Sequence, residues 1–395
     1  MHIGVYNLVS PVHDSAVIDK SLADFIGGIE KSLGSGLVAI PLSEVEKAPI
    51  SIIFVKSGGT EYEFKKIYER IKPPYFLLTT NLHNSLPAAM EILAFIRAKG
   101  LRGEIIHGSA SQAAARLKTI KAVFDAKSSF KKMKLGVMGN PSDWLIASSV
   151  DYKAVKKLFG IELVDIPMKE VLAEIKKGHD VNSPKEIEIL KKGFKPEALK
   201  GALNIYESLK ALCERHNLKG FTLRCFDLLD SVKNTGCLGL SLLNGEGFVA
   251  GCEGDIPAML SMLILKTLSK KQVFMANPSS IDAGENSVVM AHCTVPLDMT
   301  ASYKFESHFE SRIGVGIKGL IPEGEGTIFK LSSNLKEFFV SPAVITKNLD
   351  LENLCRTQIE VKVGRGTDYF LKNPYGNHHI ICNGDHTTVV EEFFR

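Results

Sequence analysis

The sequence predicts an α/β protein in which two α/β (Rossmann-like) domains precede a C-terminal β-rich domain, either a barrel or a sandwich. The 395 residues exceed what one hydrophobic core usually organises, so two or three domains are expected. Short β-type runs alternate with helical patterns at first, whereas from about Val288 such runs follow one another directly. We therefore expect domains at residues 1–132, 133–270 and 271–395.

The first domain begins with a strand-like run and alternates with helical segments from there on. Its predicted strands are residues 3–8, 37–40, 52–55, 76–79 and 103–106. Its predicted helices, which carry apolar side chains at helical spacing, are residues 20–33, 61–71 and 88–99. Strands that alternate with helices indicate βαβ units and therefore a parallel sheet.

The second domain continues this alternation from a strand-like run at residues 134–138. Further predicted strands are residues 163–166, 221–226 and 247–251, and a run at 272–275 leads out of the block. The predicted helices are residues 169–177, 185–194, 198–216 and 257–268. The same argument predicts a second parallel sheet.

The third domain consists of short runs rich in Val, Ile, Thr and Phe that Gly, Pro and Asn residues separate. The predicted strands are residues 287–291, 314–317, 327–331, 358–363 and 379–382. This texture is typical of a compact β domain.

Composition excludes several classes of protein. The net charge of +4 is mild and no basic block is present, so we expect no nucleic-acid partner. The longest apolar stretch, residues 256–265, is too short to span a membrane, and the first residues do not resemble a signal peptide. Seven dispersed cysteines without a CxxC pair indicate free thiols and a cytoplasmic protein.

The most unusual segment is residues 251–257, Gly-Cys-Glu-Gly-Asp-Ile-Pro, between a predicted strand and a predicted helix. Pro257 suits the first helical turn, so Asp255 has an ordinary reading as a helix cap. Glu253 lies at the carboxyl end of the strand, where α/β proteins bind ligands. The local sequence leaves a functional and a structural role for Glu253 equally open.

Histidines supply the second signal, because several of the 11 lie in polar or Gly-rich contexts of the C-terminal half. Each one alone is more often a structural histidine than a ligand. Together with Glu253 they form a carboxylate and imidazole set suited to Mn²⁺, Fe²⁺ or Zn²⁺. These histidines are His292, His308, His378, His379 and His386.

Residues 251–386 resemble the metal-site region of the L-fucose and L-arabinose isomerases. The run at 252–255, the following helix and the strand at 273–277 match in order and approximate spacing, as do the segments at His292 and at residues 377–379. Residues 1–180 share only the α/β texture, and the chain is shorter than those isomerases.

The resemblance implies a divalent metal, with Mn²⁺ as first choice, held by Glu253, His292 and His379. It also implies a homo-oligomer, a trimer or hexamer, with sites at subunit boundaries. Glu253 and Asn277 are the expected catalytic residues, with Glu253 both ligand and proton-transfer group. Where the fucose type has a second acid, this chain has Asn277, and the corresponding arabinose-type position is Ala276. This departure puts the reaction in doubt, but not metal binding.

Further polar residues of the C-terminal half are candidate sugar contacts, because a sugar needs many positioned donors and acceptors. Arg356 would also suit a carboxylate, sulfonate or phosphate, although a buried structural arginine paired with an acid is an equal alternative. Trp144, the only tryptophan, would stack on a sugar or, more commonly, pack in a core or interface. The candidate substrate contacts are Asp255, His308, Glu310, Arg356, Gln358, His378, Asp385 and His386.

The predicted function is aldose–ketose isomerisation of a pentose, a hexose or a modified sugar through an enediol, at a site between the second and third domains. Two alternatives stay open because of Asn277. One is a different metal-dependent sugar reaction, such as epimerisation or carbon–carbon lyase chemistry. The other is a catalytically silent sugar-binding protein.

Overall fold

A computed structural model describes residues 2–181 and 183–395 of the chain. The chain divides into two compact units, Met1–Asp125 and Ala126–Arg395. The second unit contains both the second parallel sheet and the β-rich domain, so the predicted division at residue 270 lies inside it. No helix in the described part of the chain has the length and apolar composition needed to cross a membrane.

The first unit contains a five-stranded parallel sheet in the order β2-β1-β3-β4-β5. Consecutive residues of β3 enter different hydrophobic clusters: Ile52 and Phe54 join one, and Ile53 and Val55 join the other. Side chains alternate across a strand, so both faces of this sheet are buried. The strands are β1 Ile3–Leu8, β2 Leu37–Ala39, β3 Ser51–Val55, β4 Tyr75–Leu78 and β5 Gly103–Ile106. The helices are α1 Ser15–Leu33, α2 Leu42–Val45, α3 Glu61–Ile67, α4 Ser85–Ala98 and α5 Ala110–Phe130, the last of which continues into the second unit.

The second unit begins with a four-stranded parallel sheet in the order β7-β6-β8-β9. Met138 of β6 pairs with Leu223 of β8, which pairs with Cys252 of β9, so the carboxyl ends of these strands lie level. The loops that follow them therefore meet at one edge. The strands are β6 Lys134–Met138, β7 Glu162–Ile166, β8 Gly220–Leu223 and β9 Val249–Cys252. The helices are α6 Tyr152–Phe159, α7 Met168–Lys177, α8 Pro184–Leu190, α9 Pro196–Arg215, α10 Asp227–Ser231, α11 Cys237–Gly245 and α12 Ile256–Ser269.

The C-terminal part forms a closed antiparallel barrel of six strands in the order β10-β11-β16-β15-β14-β17, so the predicted fold class is confirmed and the β domain is a barrel. A separate two-stranded sheet, β12-β13, accompanies it. Strand β10 pairs with β11 on one side and β17 on the other, which brings the end of β11 and the start of β17 close together. The elements are β10 Phe274–Asp282, β11 Ser287–His292, β12 Ser302–Glu306, β13 Gly316–Leu320, β14 Gly324–Leu331, β15 Phe338–Asn348, β16 Thr357–Val363, α13 Asp368–Lys372, β17 His379–Asn383 and α14 Thr387–Phe394.

Candidate metal centre

Three side chains from separate elements converge between the parallel sheet and the barrel. Glu253 follows β9, His292 is the last residue of β11, and His378 immediately precedes β17. The Oε1 atom of Glu253 lies 3.4 Å from Nε2 of His378 and 3.8 Å from Nε2 of His292. One ligand atom from each residue lies within 4.8 Å of the other two, an arrangement that could hold a metal ion.

The two histidines present buried nitrogen atoms that have no hydrogen-bond partner among the described residues. These are Nε2 of His292 and Nε2 of His378, and both side chains are buried. A buried polar atom without a partner is costly, so each such atom requires an explanation. A divalent cation bound between Glu253 and the two imidazoles would use both lone pairs, and the donor set fits Mn²⁺, Fe²⁺ or Zn²⁺.

Each of the three residues is held by a hydrogen bond on the side that faces away from the other two. Nε1–H of Trp144 donates to Oε2 of Glu253 over 2.7 Å, which leaves Oε1 facing the histidines. Nδ1 of His292 lies 3.0 Å from the hydroxyl of Thr294. Nδ1 of His378 lies 2.9 Å from Oδ2 of Asp255. Such outer contacts orient metal-binding side chains and fix the histidine tautomers.

The contacts among the three residues, together with burial, shift the pKa of each side chain. Burial opposes ionisation of Glu253, but its contacts with His292 and His378 outweigh burial and hold the pKa of this carboxyl well below its ordinary value. Burial lowers the pKa of His292, which keeps its imidazole neutral. Burial also acts against the charged form of His378, but Asp255 and Glu253 override it and raise its pKa to about 9.

The backbone that carries Glu253 is strained. Glu253 has a φ of 59°, a left-handed conformation that few non-glycine residues adopt, and Gly254 follows with a φ of 74°. The amide of Ser142 donates to the carbonyl of Glu253 over 2.9 Å. A Cβ on Gly254 would lie 2.6 Å from the carbonyl oxygen of Asn140, so only glycine fits. The loop after β6 thus clamps the turn after β9.

A cleft of about 530 Å³ opens beside this centre. Trp144 and Phe226 line it, with ring centroids 4.8 Å apart, together with Arg224 and Ser311. The ring of His308 packs edge-on against Phe226 at 5.7 Å, and burial lowers the pKa of His308 to about 4. His308 is therefore a neutral side chain next to the cleft.

His379 is not part of the converging group, so the geometry favours His378 over the predicted His379 as the third ligand. Its Nδ1 lies 3.0 Å from the carbonyl oxygen of Asn377, and its Nε2 lies 3.0 Å from the hydroxyl of Tyr369. Its ring packs against Phe370 with a centroid distance of 4.9 Å. His378, which is predicted to contact the substrate, lies beside Glu253 where His379 is predicted to lie.

The structure gives the surroundings of two further predicted site residues. Asp255 is fully buried and caps α12, as its ordinary reading predicts, since its Oδ1 accepts the amide of Ala258 over 2.8 Å. Its Oδ2 lies beside His378. Asn277 lies on β10, opposite Ala291, and its Oδ1 accepts from Nδ2 of Asn377 over 3.2 Å.

The structure does not bring the remaining predicted contacts into the cluster. Glu310 is exposed. Arg356 donates through Nε to the carbonyl oxygen of Ser307 over 2.8 Å and lies 3.5 Å from Glu306, which matches its structural alternative. The other three make local contacts. Gln358 accepts the amide of Leu351 and donates to the carbonyl oxygen of the same residue. Asp385 accepts from the amide and hydroxyl of Thr387, and His386 lies near the carbonyl oxygen of Asn383.

The sequence does not reveal the roles of two further residues. Stacking on a sugar and packing are the roles predicted for Trp144, whereas in the structure it is a hydrogen-bond donor to Glu253. Lys330 lies on β14 with its side chain buried, and its Nζ is 3.4 Å from Oδ2 of Asp255. A lysine between Phe329 and Leu331 inside an apolar strand was the signal that could have identified it.

The chain resembles several curated enzymes at low identity, although no family model matches it. It is 22% identical over 291 residues to a sulfoquinovose isomerase of Alkalicoccus urumqiensis, covering 70% of this chain and 66% of that protein. It is 25% identical over 281 residues to the sulfoquinovose isomerases of Priestia aryabhattai and Priestia megaterium, covering 67% of this chain and 63% of each relative. The chain therefore spans slightly less than two thirds of the length of these relatives.

Proposed function

We propose that this chain is a metal-dependent aldose–ketose isomerase that acts on a sugar bearing a sulfonate, through an enediol. The observation that carries the proposal is the convergence of Glu253 with two unpartnered imidazole nitrogens, on His292 and His378. The similarity to sulfoquinovose isomerases supports both the reaction and the sulfonate. Mn²⁺ is the proposed cation, and the seven free cysteines support a cytoplasmic location.

A bound divalent cation would supply Lewis acidity that polarises the oxygens on C1 and C2 of the sugar. Glu253 is the proposed base that moves a proton between these carbons, because its contacts keep it ionised. Trp144 holds Glu253 in place through Oε2 and borders the cleft, which is the proposed approach route of the sugar. Arg356 is retained as a proposed contact for the sulfonate. It lines a cavity of about 290 Å³ whose charged side chains are those of Arg312, Lys318, Glu306, Asp350 and Glu352.

One observation favours a second candidate function. Glu253 is the single carboxylate in the converging group, and Asn277 contributes an amide that already accepts from Asn377. A different metal-dependent sugar reaction, epimerisation or lyase chemistry, would suit a site with one acid. A catalytically silent sugar-binding protein would suit it as well.

The test is to incubate Mn²⁺-loaded protein with sulfoquinovose, and separately with unmodified aldoses, in D₂O. The proposed function predicts deuterium at C2 and a ketose product by NMR, with sulfoquinovose preferred. Deuterium without a ketose would indicate an epimerase, and sugar binding without exchange would indicate a silent homologue.

Glu253→Gln is the decisive variant in this assay. It should keep the fold and lower turnover by at least about 10²-fold, because an amide cannot accept the transferred proton. Glu285→Gln is the matched control, since Glu285 is an exposed carboxylate outside the converging group. Full activity of Glu253→Gln would remove the mechanistic assignment.

A further inference from the structure

On the side of His378 that faces away from Glu253, two buried charged side chains lie in a row, and the proposed reaction does not use them. Asp255 is in contact with Nδ1 of His378 at 2.9 Å, and Lys330 is 3.4 Å from the same carboxylate oxygen, Oδ2. All three side chains have at most 1% of their surface exposed. Burying an ion pair of this kind costs several kcal/mol of desolvation per charge, so it adds little to stability by itself.

The position of Asp255 is set by the helix that it caps. Its Oδ1 accepts the amide of Ala258 over 2.8 Å, at the start of α12. This bond fixes the plane of the carboxylate and leaves Oδ2 as the atom that faces His378. Because Oδ2 can only accept, a proton on Nδ1 of His378 is favoured, and the lone pair of a neutral imidazole is then on Nε2. That atom faces Oε1 of Glu253.

We propose that Asp255 is a positioning residue that directs Nε2 of His378 toward the bound metal, and that Lys330 is the buried counter-charge that holds Asp255 in place. This inference rests on the proposed function, because it assigns a purpose to the contacts of one proposed ligand. The contact of His378 with Asp255 differs from the hydrogen bonds that hold Glu253 and His292, because their partners, Trp144 and Thr294, are neutral. His378 is the ligand held by a formal charge.

The variant Asp255→Asn separates the two roles of the carboxylate. Asparagine is a good helix cap, so Oδ1 can keep its bond to the amide of Ala258. The amide nitrogen that replaces Oδ2 donates, and it therefore opposes a proton on Nδ1 of His378. Lys330 would lose its ion pair with Asp255, so it is replaced as well in the double variant Asp255→Asn/Lys330→Met.

The experiment measures the Mn²⁺ dissociation constant by calorimetry in the full chain. The double variant should stay folded and bind Mn²⁺ about 10- to 100-fold more weakly than the wild type, as expected for loss of an outer contact to a ligand. Lys330→Met alone removes the ion pair but keeps the contact between Asp255 and His378, so it should show a smaller increase of the dissociation constant. Glu174→Gln is the control, because Glu174 is also a buried, ion-paired carboxylate but lies on α7. Unchanged constants in both variants would overturn the inference.

A second measurement does not depend on metal. Histidine ¹⁵N NMR of the metal-free protein, with His378 assigned by its loss in His378→Gln, should show a proton on Nδ1 in the wild type and its loss in Asp255→Asn. If the wild type binds no Mn²⁺, the proposed function fails and this spectrum alone decides whether Asp255 orients His378. An unchanged Nδ1 resonance in Asp255→Asn would overturn the inference in that case also.

Discussion

Glu253 combines a strained backbone with a side chain whose two oxygens have separate tasks. Its φ of 59° turns the chain sharply after β9, and Oε2 is occupied by Trp144 while Oε1 faces the two histidines. A non-glycine residue in this region costs of order 1–3 kcal/mol, and such strain is commonly found at functional sites. The strain and the converging nitrogens are independent observations that indicate the same residue.

Asn277 is the residue at which the reaction can be probed most directly. We expect Asn277→Asp to lower the native activity, because it adds a negative charge beside β11 and β17, whose ends carry the proposed ligands. The measurement is the turnover of sulfoquinovose by Mn²⁺-loaded protein, with unmodified aldoses tested in parallel. A gain of isomerase activity on common aldoses would show instead that Asn277 merely replaces a lost acid.

The candidate site was predictable from the sequence to the level of segments, and the assignment of individual histidines was not. The motif at residues 251–257 located Glu253, and the residue pair at 378–379 located the third ligand segment. Adjacent residues at a strand end point in different directions, so choosing between His378 and His379 requires the register. Their surroundings confirm this: His379 is bonded to Tyr369, and His378 is bonded to Asp255.

The turn between β9 and α12 is the element on which the site depends. Gly254→Ala should destabilise the second unit by more than about 1–2 kcal/mol, because a Cβ there adds a clash with the backbone of Asn140 to the cost of a left-handed alanine. Gly193→Ala is the matched control, since Gly193 has a φ of 76° and no atom of the described residues lies within 4 Å of the added Cβ. Urea unfolding gives the loss of free energy of unfolding in each variant, and the difference between the two losses measures the clash. Equal losses would show that the loop after β6 moves to make room for the methyl group.

Elements with a clear period were predicted, and those without one were missed. The predicted strand at 134–138 coincides with β6, and helix 198–216 differs from α9 by at most two residues at each end. Helix α11 was missed because eight of its nine residues are buried, which removes the amphipathic pattern that reveals a helix. Strand β15 was missed as well, and it contains Pro342, a residue that normally argues against a strand. Burial determines helix α11, and pairing within the closed barrel determines strand β15. Both depend on residues that are distant in the sequence, so a short stretch of sequence does not reveal them.

At the scale of the whole molecule, we expect the chain to self-associate in reducing buffer, as the resembled isomerases do. The loop after β6 presents Ile146 with 94% of its surface exposed and Trp144 with 52%, on the same segment that contacts Glu253. An apolar surface of this kind is a common feature of an interface. Light scattering should give a particle of three or six chains, and a monomer across the micromolar range would contradict the prediction.

One divalent cation per chain is the expected composition of the active protein. Elemental analysis after reconstitution with Mn²⁺ should give a near-stoichiometric ratio, and removal by a chelator should lower the melting temperature. A cation at 100 times its dissociation constant stabilises the folded state by about 2.7 kcal/mol, so the shift is large enough to measure. Variants of the two adjacent histidines form a matched pair because, of the two, only His378 contacts Glu253. His378→Gln should abolish metal binding and the effect of the chelator on the melting temperature, whereas His379→Gln should retain both. The reverse result would return the third ligand position to His379, and loss in neither variant would place the cation elsewhere.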